Sequence, residues 1–416
     1  MMNKIIWLCN ARFTDEKIKF TGSWLQPLAE GLQQTRNVQI VNICRANVAH
    51  MLKENSGMIV QYVLPIRKTQ NYGHVPDKLT IQEIVNIVSL EQPNLIHIWG
   101  TESIWAYMNS ILSKTFKTVM DIQGLLAPYS DYYYGGLTNR EILQSIHLKE
   151  LLMPTRTLYY KRKIFEKRGK QETKFLQTFN NISVQSDWVK NYIQLIVPHS
   201  TIYSTHIILR DGFYKAQPWV YKTDKESPII FSSCAAAVSY KGMHILIKAV
   251  GLLKRKYPNI QLHLAGRINI GNKLLDGYSV FINKLIKKLD LITNVHFLGS
   301  INEDQIINEL QKCSVCVIPS FIETYCLAFA EAMIVGVPTV ASYAGAMPEL
   351  AKHKREALFY NSIDYYTMAS YIDELIQNRE LAEYISLNCR KRRLFENNQS
   401  LVIEQQLNIY NSIIEK

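Results

Sequence analysis

Short apolar runs that stop at Gly, Pro or a polar turn alternate with stretches of helical periodicity along nearly the whole chain, and the alternation occurs twice. Ile5–Cys9 is fully apolar, the pattern of a strand buried on both faces. Gly22-Ser23 and the helically spaced Trp24, Leu25, Leu28, Ala29 and Leu32 follow it. Val38–Ile43, Met58–Leu64, Leu95–Trp99 and Thr118–Ile122 read as further strands, and Leu79–Leu90 as a helix. The rhythm breaks over 137–180, a long, basic stretch of helical pattern divided by Pro154, and resumes in the strands Ile182–Gln185 and Thr205–Leu209. Asp211-Gly212 reads as a turn and Tyr214–Ser227, with Pro218 and several charges, as a linker. The second half repeats the pattern. Strands are predicted at Ile229–Ser232, Gln261–Ala265, Val295–Leu298, Ser314–Ile318 and Thr339–Ala341, and helices at Met243–Tyr257, Val280–Leu289, Asp304–Gln311, Cys326–Val335, Met368–Gln377 and Arg379–Phe395. Such βα alternation predicts an α/β fold of two Rossmann-like, doubly wound parallel-sheet domains, over 1–215 and 216–395, with the amphipathic helix Ser400–Ile414 in a final segment 396–416. Two such domains facing each other make a cleft at the carboxyl ends of their sheets, where ligands bind in this class.

The charge is uneven. The chain has a net charge of +12, and Arg156–Lys174 alone holds eight bases and two acids. Beside those bases stand Leu151, Leu152, Tyr159, Tyr160, Ile164 and Phe165. A basic face with apolar companions suits an anionic membrane surface or a phosphorylated partner; otherwise it is a solvated helix face. No nucleic-acid motif accompanies the charge. Seven scattered cysteines argue for a reducing compartment, and Cys313-x-x-Cys316 lacks the second pair that a metal site needs. The N-terminal apolar run is too short for a secretion signal and no run reaches membrane-spanning length, so the expectation is a cytoplasmic protein, peripheral at most on the inner face of the cell membrane.

The chemistry concentrates in Ser320–Met333. Glu323 precedes a predicted helix and Glu331 lies within it. With Thr324 as N-cap, the backbone N–H groups of Tyr325, Cys326 and Leu327 would face outward, and a helix N-terminus of that kind accepts phosphate. Eight helical residues span roughly 12 Å, about the reach from a sugar across a diphosphate to a ribose. Carboxylates accept hydroxyl hydrogens and so suit polyols. The bland alternative is a surface Glu and a helix-dipole Glu.

This stretch resembles the E-x7-E element of retaining GT-B-fold glycosyltransferases of family 4 (glycosyl transferases group 1). Val317–Ser320 before it, Gly336–Val340 and Gly345–Glu349 after it, Lys241-Gly242, His263–Gly266 and Asn294–Gly299 resemble the flanking family elements. In the first half the resemblance is patchy: Thr21-Gly22-Ser23, Ile96–Glu102 and Asp121–Gly124. The resemblance implies a nucleotide-diphosphate sugar of UDP or GDP type as donor, no cofactor, no metal, and a glycan or lipid-linked acceptor in surface polysaccharide or glycolipid synthesis. It also implies an acceptor-binding first domain, a donor-binding second domain, and a last helix crossing back to the first. By position, Glu323 would hold the donor sugar hydroxyls, Glu331 the ribose, and Lys241 the leaving diphosphate, helped by the backbone at Thr324 to Leu327. Gly22, Gly266 and Arg267 would border the diphosphate, with His97, Gln123 and Ser23 on the acceptor side. Two departures stand out. Ala235 and Ala236 occupy the place of a family arginine, for which Arg267 or Arg210 could substitute. Gln123 stands where many members have His, and an amide cannot exchange protons near neutral pH. The competing readings are a sugar-nucleotide epimerase of the same fold and an inactive scaffold. No G-x-G-x-x-G, D-x-D or P-loop pattern occurs, which argues against a nicotinamide enzyme, a metal-dependent transferase and a P-loop protein.

Overall fold

A computed structural model describes residues 2–14, 24–146, 150, 152–268 and 276–416. Gly22, Ser23 and Leu151 lie outside the described residues. The chain forms two compact units. The first comprises Met1–Pro128, Phe165–Arg210 and Glu396–Lys416, and the second Tyr129–Ile164 and Asp211–Phe395.

The first unit is built on β1 (Asn3–Leu8), β2 (Val38–Ala46), β3 (Leu52–Ser56), β4 (Ile59–Pro65), β5 (Leu95–Trp99), β6 (Thr118–Asp121), β7 (Asn181–Val184) and β8 (Thr201–Ser204). They lie in the order β3-β4-β2-β1-β5-β6-β7-β8. All neighbours are parallel except β3 and β4, which form an antiparallel hairpin. The central β1 and β5 are apolar nearly throughout, as a strand covered on both faces must be. The helix Gln399–Ile414 belongs to this core. Its Tyr410 hydroxyl accepts the Trp7 indole N–H at 3.0 Å and pairs with His97 Nδ1 at 2.8 Å. His97 also stacks on Trp99, with ring centroids 3.8 Å apart.

The second unit's sheet holds β9 (Ile229–Ser232), β10 (Gln261–Ala265), β11 (Val295–Gly299), β12 (Val315–Ile318), β13 (Thr339–Ser342) and β14 (Leu358–Tyr360). Its order is β11-β10-β9-β12-β13-β14, parallel throughout. The helices Met243–Leu253, Gly277–Lys288, Glu303–Lys312, Leu327–Val335 and Tyr365–Gln377 connect or flank the strands.

Several expectations need correction. The stretch 137–180 does not stay with the first domain: Tyr129–Ile164 belongs to the second unit, and the helix Leu158–Leu176 runs across the boundary. Tyr214–Ser227 is no free linker. The Trp219 indole N–H donates to the Cys313 carbonyl at 2.8 Å, its backbone N–H to Val335 at 2.9 Å, and the Tyr221 hydroxyl to Ile376 at 2.5 Å. Thr205–Leu209 is apolar because Ile207, Ile208 and Leu209 are buried, yet the strand there is Thr201–Ser204. Asp211-Gly212 opens the short helix Asp211–Lys215. Among the elements that no sequence pattern above marks are β3, β14 and the helices Trp105–Leu112 and Asp187–Ile196. Gly57 at φ +55°, in a two-residue connection between Ser56 and Ile59, is the signal that marks the β3–β4 hairpin.

Three acids stand at or beyond the carboxyl ends of the first sheet, Asp121 and Glu172 buried and Glu102 partly so. Burial pushes up the carboxyls of Glu102, Asp121 and Glu172, the last to about 7. The Thr101 hydroxyl lies 2.5 Å from Glu172 and 3.1 Å from the Gly124 carbonyl, and the Ala127 N–H donates to the other Glu172 oxygen at 3.0 Å. A neutral Glu172 can donate to Thr101, which passes a hydrogen to Gly124. A folded-state pKa raised above the unfolded value makes the acid's contribution full below the unfolded value, near pH 4.5, and lost as pH rises through about 7. Urea unfolding between pH 5 and 8 should therefore show stability falling with pH. Glu172→Gln, which mimics the neutral acid, should flatten that slope and gain about 1–3 kcal/mol at pH 8. An unchanged slope would mean that Glu172 is not the titrating group.

Candidate functional site

β12 ends at Ile318 and runs into the loop 319–326 before the helix Leu327–Val335. Three neighbouring segments determine the path of this loop. The Phe321 N–H donates to the Tyr240 carbonyl at 2.7 Å, and the Ala346 N–H donates to the Glu323 carbonyl at 2.9 Å. The Ser342 hydroxyl donates to the Ser320 carbonyl. Two glycines permit the approach. Gly242 has φ +73°, and a Cβ there would sit 1.9 Å from the Pro319 oxygen. Gly345 has φ +52°, and a Cβ there would sit 2.1 Å from the Glu323 oxygen. Only glycine offers both the left-handed backbone and the missing atom.

Glu323 is 7% exposed. A buried carboxylate is tolerable only when paired, and Lys241 Nζ lies 2.6 Å from Glu323 Oε1. Burial opposes the Lys241 charge, but the Glu323 carboxylate beside it prevails and holds the ammonium well above the usual lysine range. The lysine therefore stays charged at any working pH. It spends one hydrogen on Glu323 and has two more to offer, while Glu323 Oε2 retains lone pairs for hydroxyls. Lys241 and Glu323, the pair that the sequence singles out, are thus brought together.

The helix start differs from expectation. Thr324 is not the N-cap; Cys326 holds that position with φ +84° and ψ +77°, and no side chain caps the helix. The Thr324 N–H instead donates to the Tyr129 hydroxyl at 3.1 Å. A non-glycine residue in this backbone region costs of order 1–3 kcal/mol and persists only where its surroundings impose it. The turn leaves the first-turn N–H groups, at Leu327 and Ala328, beyond reach of an intrahelical acceptor. Burial raises the Cys326 thiol, so it acts as an inert apolar group. Glu331 lies inside the helix at 9% exposure, the one charged residue among Leu, Ala, Phe, Met, Ile and Val. Because the helix starts at Leu327, the 12 Å helical span from Glu323 to Glu331 does not apply; the loop supplies part of that separation.

Gly266, with φ +146°, ends β10, and a Cβ on it would sit 2.1 Å from the Ala235 oxygen. The two segments bond through their backbones, Ala235 N–H to Ala265 at 3.1 Å and Ile268 N–H to Ala235 at 3.0 Å. Ala235 is 1% exposed, so a long side chain has no room there. Arg267 is exposed. His97 and Gln123 belong to the first unit. His97 is wholly buried and its pKa is held well below the usual histidine range by that burial, so it is a neutral core residue bonded to Tyr410. Both thiols of Cys313-x-x-Cys316 are buried and free, and no cluster of three metal-ligating side chains occurs among the described residues.

Sequence reasoning missed Tyr129 and the segment it opens. The Tyr133 carbonyl accepts from the Ser239 hydroxyl, the Gly135 carbonyl pairs with His244 Nε2 at 2.9 Å, and Glu141 pairs with Lys248 at 2.7 Å. The run Tyr132-Tyr-Tyr-Gly-Gly136 was the available signal, but it names no partner. Burial, then the negative charge of Glu323, pushes the Tyr129 phenol up, so it stays neutral and accepts the Thr324 N–H. Tyr129→Phe should cost about 1–3 kcal/mol in urea unfolding by orphaning that N–H. Gly242→Ala should lower the melting temperature by more than Gly251→Ala, whose Cβ would meet only the Leu289 side chain at 3.1 Å. Equal losses would refute the close approach at Pro319.

Comparison with known proteins bears on the family and the fold. Residues 215–392 match the family model described as Glycosyl transferases group 1. An uncharacterized glycosyltransferase of Bacillus subtilis (strain 168), YqgM, is 30% identical over 176 residues, 42% of this chain and 47% of that protein. The chain thus spans about half the length of the curated relatives it matches. Among solved structures, sucrose-phosphate synthase from Thermosynechococcus elongatus aligns over 99% of both chains with a TM-score of 0.73 and 16% identity. Anabaena HepE in complex with UDP and glucose aligns over 99% of this chain and 100% of its own, with a TM-score of 0.66 and 15% identity. These likenesses establish the GT-B fold class, two parallel-sheet α/β domains. Lys241, Glu323 and Glu331 all lie within residues 215–392, the part of the chain that matches the Glycosyl transferases group 1 family model.

Proposed function

We propose that this chain is a retaining, metal-independent glycosyltransferase of family 4. It moves a sugar from a nucleotide-diphosphate sugar of UDP or GDP type to a glycan or lipid-linked acceptor in surface polysaccharide or glycolipid synthesis. The observation that carries the reading is the Lys241–Glu323 pair at 2.6 Å on a loop held by Gly242 and Gly345. Glu323 offers Oε2 to the donor sugar hydroxyls. Lys241 offers its remaining hydrogens to the diphosphate as negative charge develops on it. The first-turn N–H groups at Leu327 and Ala328 donate to phosphate oxygens, and Glu331 takes the ribose hydroxyls. HepE, of the same fold, has been solved in complex with UDP-glucose, which favours a nucleotide-sugar donor.

The acceptor side includes contact with a membrane. Leu152 is 86% exposed, Met153 50% and Tyr159 60%, next to the exposed Arg156 and Lys163. Apolar side chains flanked by bases match an anionic bilayer surface.

Calorimetric titration with UDP, GDP, ADP and CMP, with and without EDTA, should find one diphosphate that binds selectively and is insensitive to EDTA. Binding of none would favour an inactive scaffold. Glu323→Gln should lower transfer by roughly 10- to 100-fold, the scale of a lost charge-assisted hydrogen bond; unaltered turnover would remove Glu323 from the site. Arg156→Glu with Lys163→Glu should abolish flotation with phosphatidylglycerol vesicles while leaving diphosphate binding intact. Retained flotation would refute the membrane surface.

A further inference from the structure

The second unit contains a separate concavity that includes neither Glu323 nor Lys241. Its volume is about 370 Å³. The helices Asn139–Gln144, Met243–Leu253 and Gly277–Lys288 wall it, together with Ile363 and Tyr365 at the start of the helix Tyr365–Gln377. The floor is apolar: Ile245 is 2% exposed, Phe281 4% and Leu285 8%. Around it stand Arg140, Lys248, Lys284 and Lys288, with Glu141 the one acid in the lining.

Glu141 is already committed. One oxygen pairs with Lys248 at 2.7 Å and the other accepts the Thr138 N–H at 2.9 Å in a capping box. It leaves nothing for the other three cations. Lys284 reaches only the Gln144 carbonyl, at 3.4 Å, and Arg140, Lys284 and Lys288 have no ion pair among the described residues. Lys284 and Lys288 stand one turn apart on one helix face, where like charges repel. Arg140 comes from a different helix. An anion seated here would relieve that repulsion and gather donors from two elements.

We propose that this groove binds a phosphate monoester carrying an apolar moiety, with the phosphate among Arg140, Lys284 and Lys288 and the apolar part on Ile245, Phe281 and Leu285. A phosphate carries up to two charges and three acceptor oxygens, so it matches three cations lining one groove better than a single carboxylate does. The buried apolar floor makes inorganic phosphate a poorer occupant than an ester. A free ester and a lipid headgroup present the same chemistry. The site is independent of the donor-binding reading, because it shares no residue with it.

The full-length chain would be titrated with phenyl phosphate, inorganic phosphate and phenol. It would also be floated with vesicles containing phosphatidic acid, a monoester, or phosphatidylglycerol, a diester, at the same mole fraction. The Arg140→Glu/Lys288→Glu double variant would be measured alongside. For a free ester, phenyl phosphate binds saturably and more tightly than inorganic phosphate, phenol does not bind, and the double variant weakens binding at least 10-fold. For a lipid source, phosphatidic acid is preferred over phosphatidylglycerol and the double variant loses that preference. Either pattern supports the site and identifies its source. The proposal is overturned if neither monoester is preferred, or if the double variant leaves both arms unchanged. Diphosphate titration of the double variant separates the two readings: it should match the unaltered chain whatever the groove binds.

Discussion

Placing a carboxylate at 7% exposure is costly, and the loops around Glu323 in the second unit are arranged to hold it. Glu323 is tolerable there because Lys241 meets it at 2.6 Å. Lys241 can reach it because Gly242 lets the chain pass against Pro319, and the Glu323 backbone stays in place because Gly345 lets a third segment close over it. Removing one partner would leave the other charge buried and unpaired, which is why such pairs behave as units. The same arrangement leaves an ammonium with spare hydrogens and a carboxylate with a spare oxygen side by side, the complement of a phosphorylated sugar.

The segment Tyr129–Gln144 supports this arrangement from outside the sheet. It bonds to Thr324 through Tyr129, to Ser239 through the Tyr133 carbonyl, to His244 through the Gly135 carbonyl and to Lys248 through Glu141. Three of these bonds are to residues of the helix Met243–Leu253 or of the short turn Ser239–Lys241 before it. Its last tie also forms one edge of the cationic groove, so the groove and the Glu323 loop are braced by one stretch of chain.

The first unit repeats the parallel-sheet architecture with different interior chemistry. Its polar core centres on Tyr410, whose hydroxyl accepts from the Trp7 indole N–H and meets His97 Nδ1, while His97 Nε2 is buried without a partner among the described residues. Its acids Glu102, Asp121 and Glu172 are kept toward the neutral form by desolvation. His97 is wholly buried, neutral and bonded to Tyr410 through Nδ1; its acceptor-side place rested only on the resemblance of Ile96–Glu102 to a family element.

The sequence alone determined the fold class and the identity of the central carboxylate. Fully apolar runs such as Ile5–Cys9 and Val315–Ile318, separated by helical periodicity, can be satisfied only by strands covered on both faces. Lys241-Gly242, Glu323 and Gly345 stood out because their stretches resemble the elements of a known family, which names the residues but not the contacts between them. What only the tertiary structure decided depends on contacts between residues distant in the chain. Tyr129 and Thr324 are 195 residues apart, Trp7 and Tyr410 are 403 apart, and nothing local to either member encodes the other. The assignment of 129–164 to the second unit and the packing of Trp219 against it likewise follow from which apolar faces find cover, a property of the assembled core.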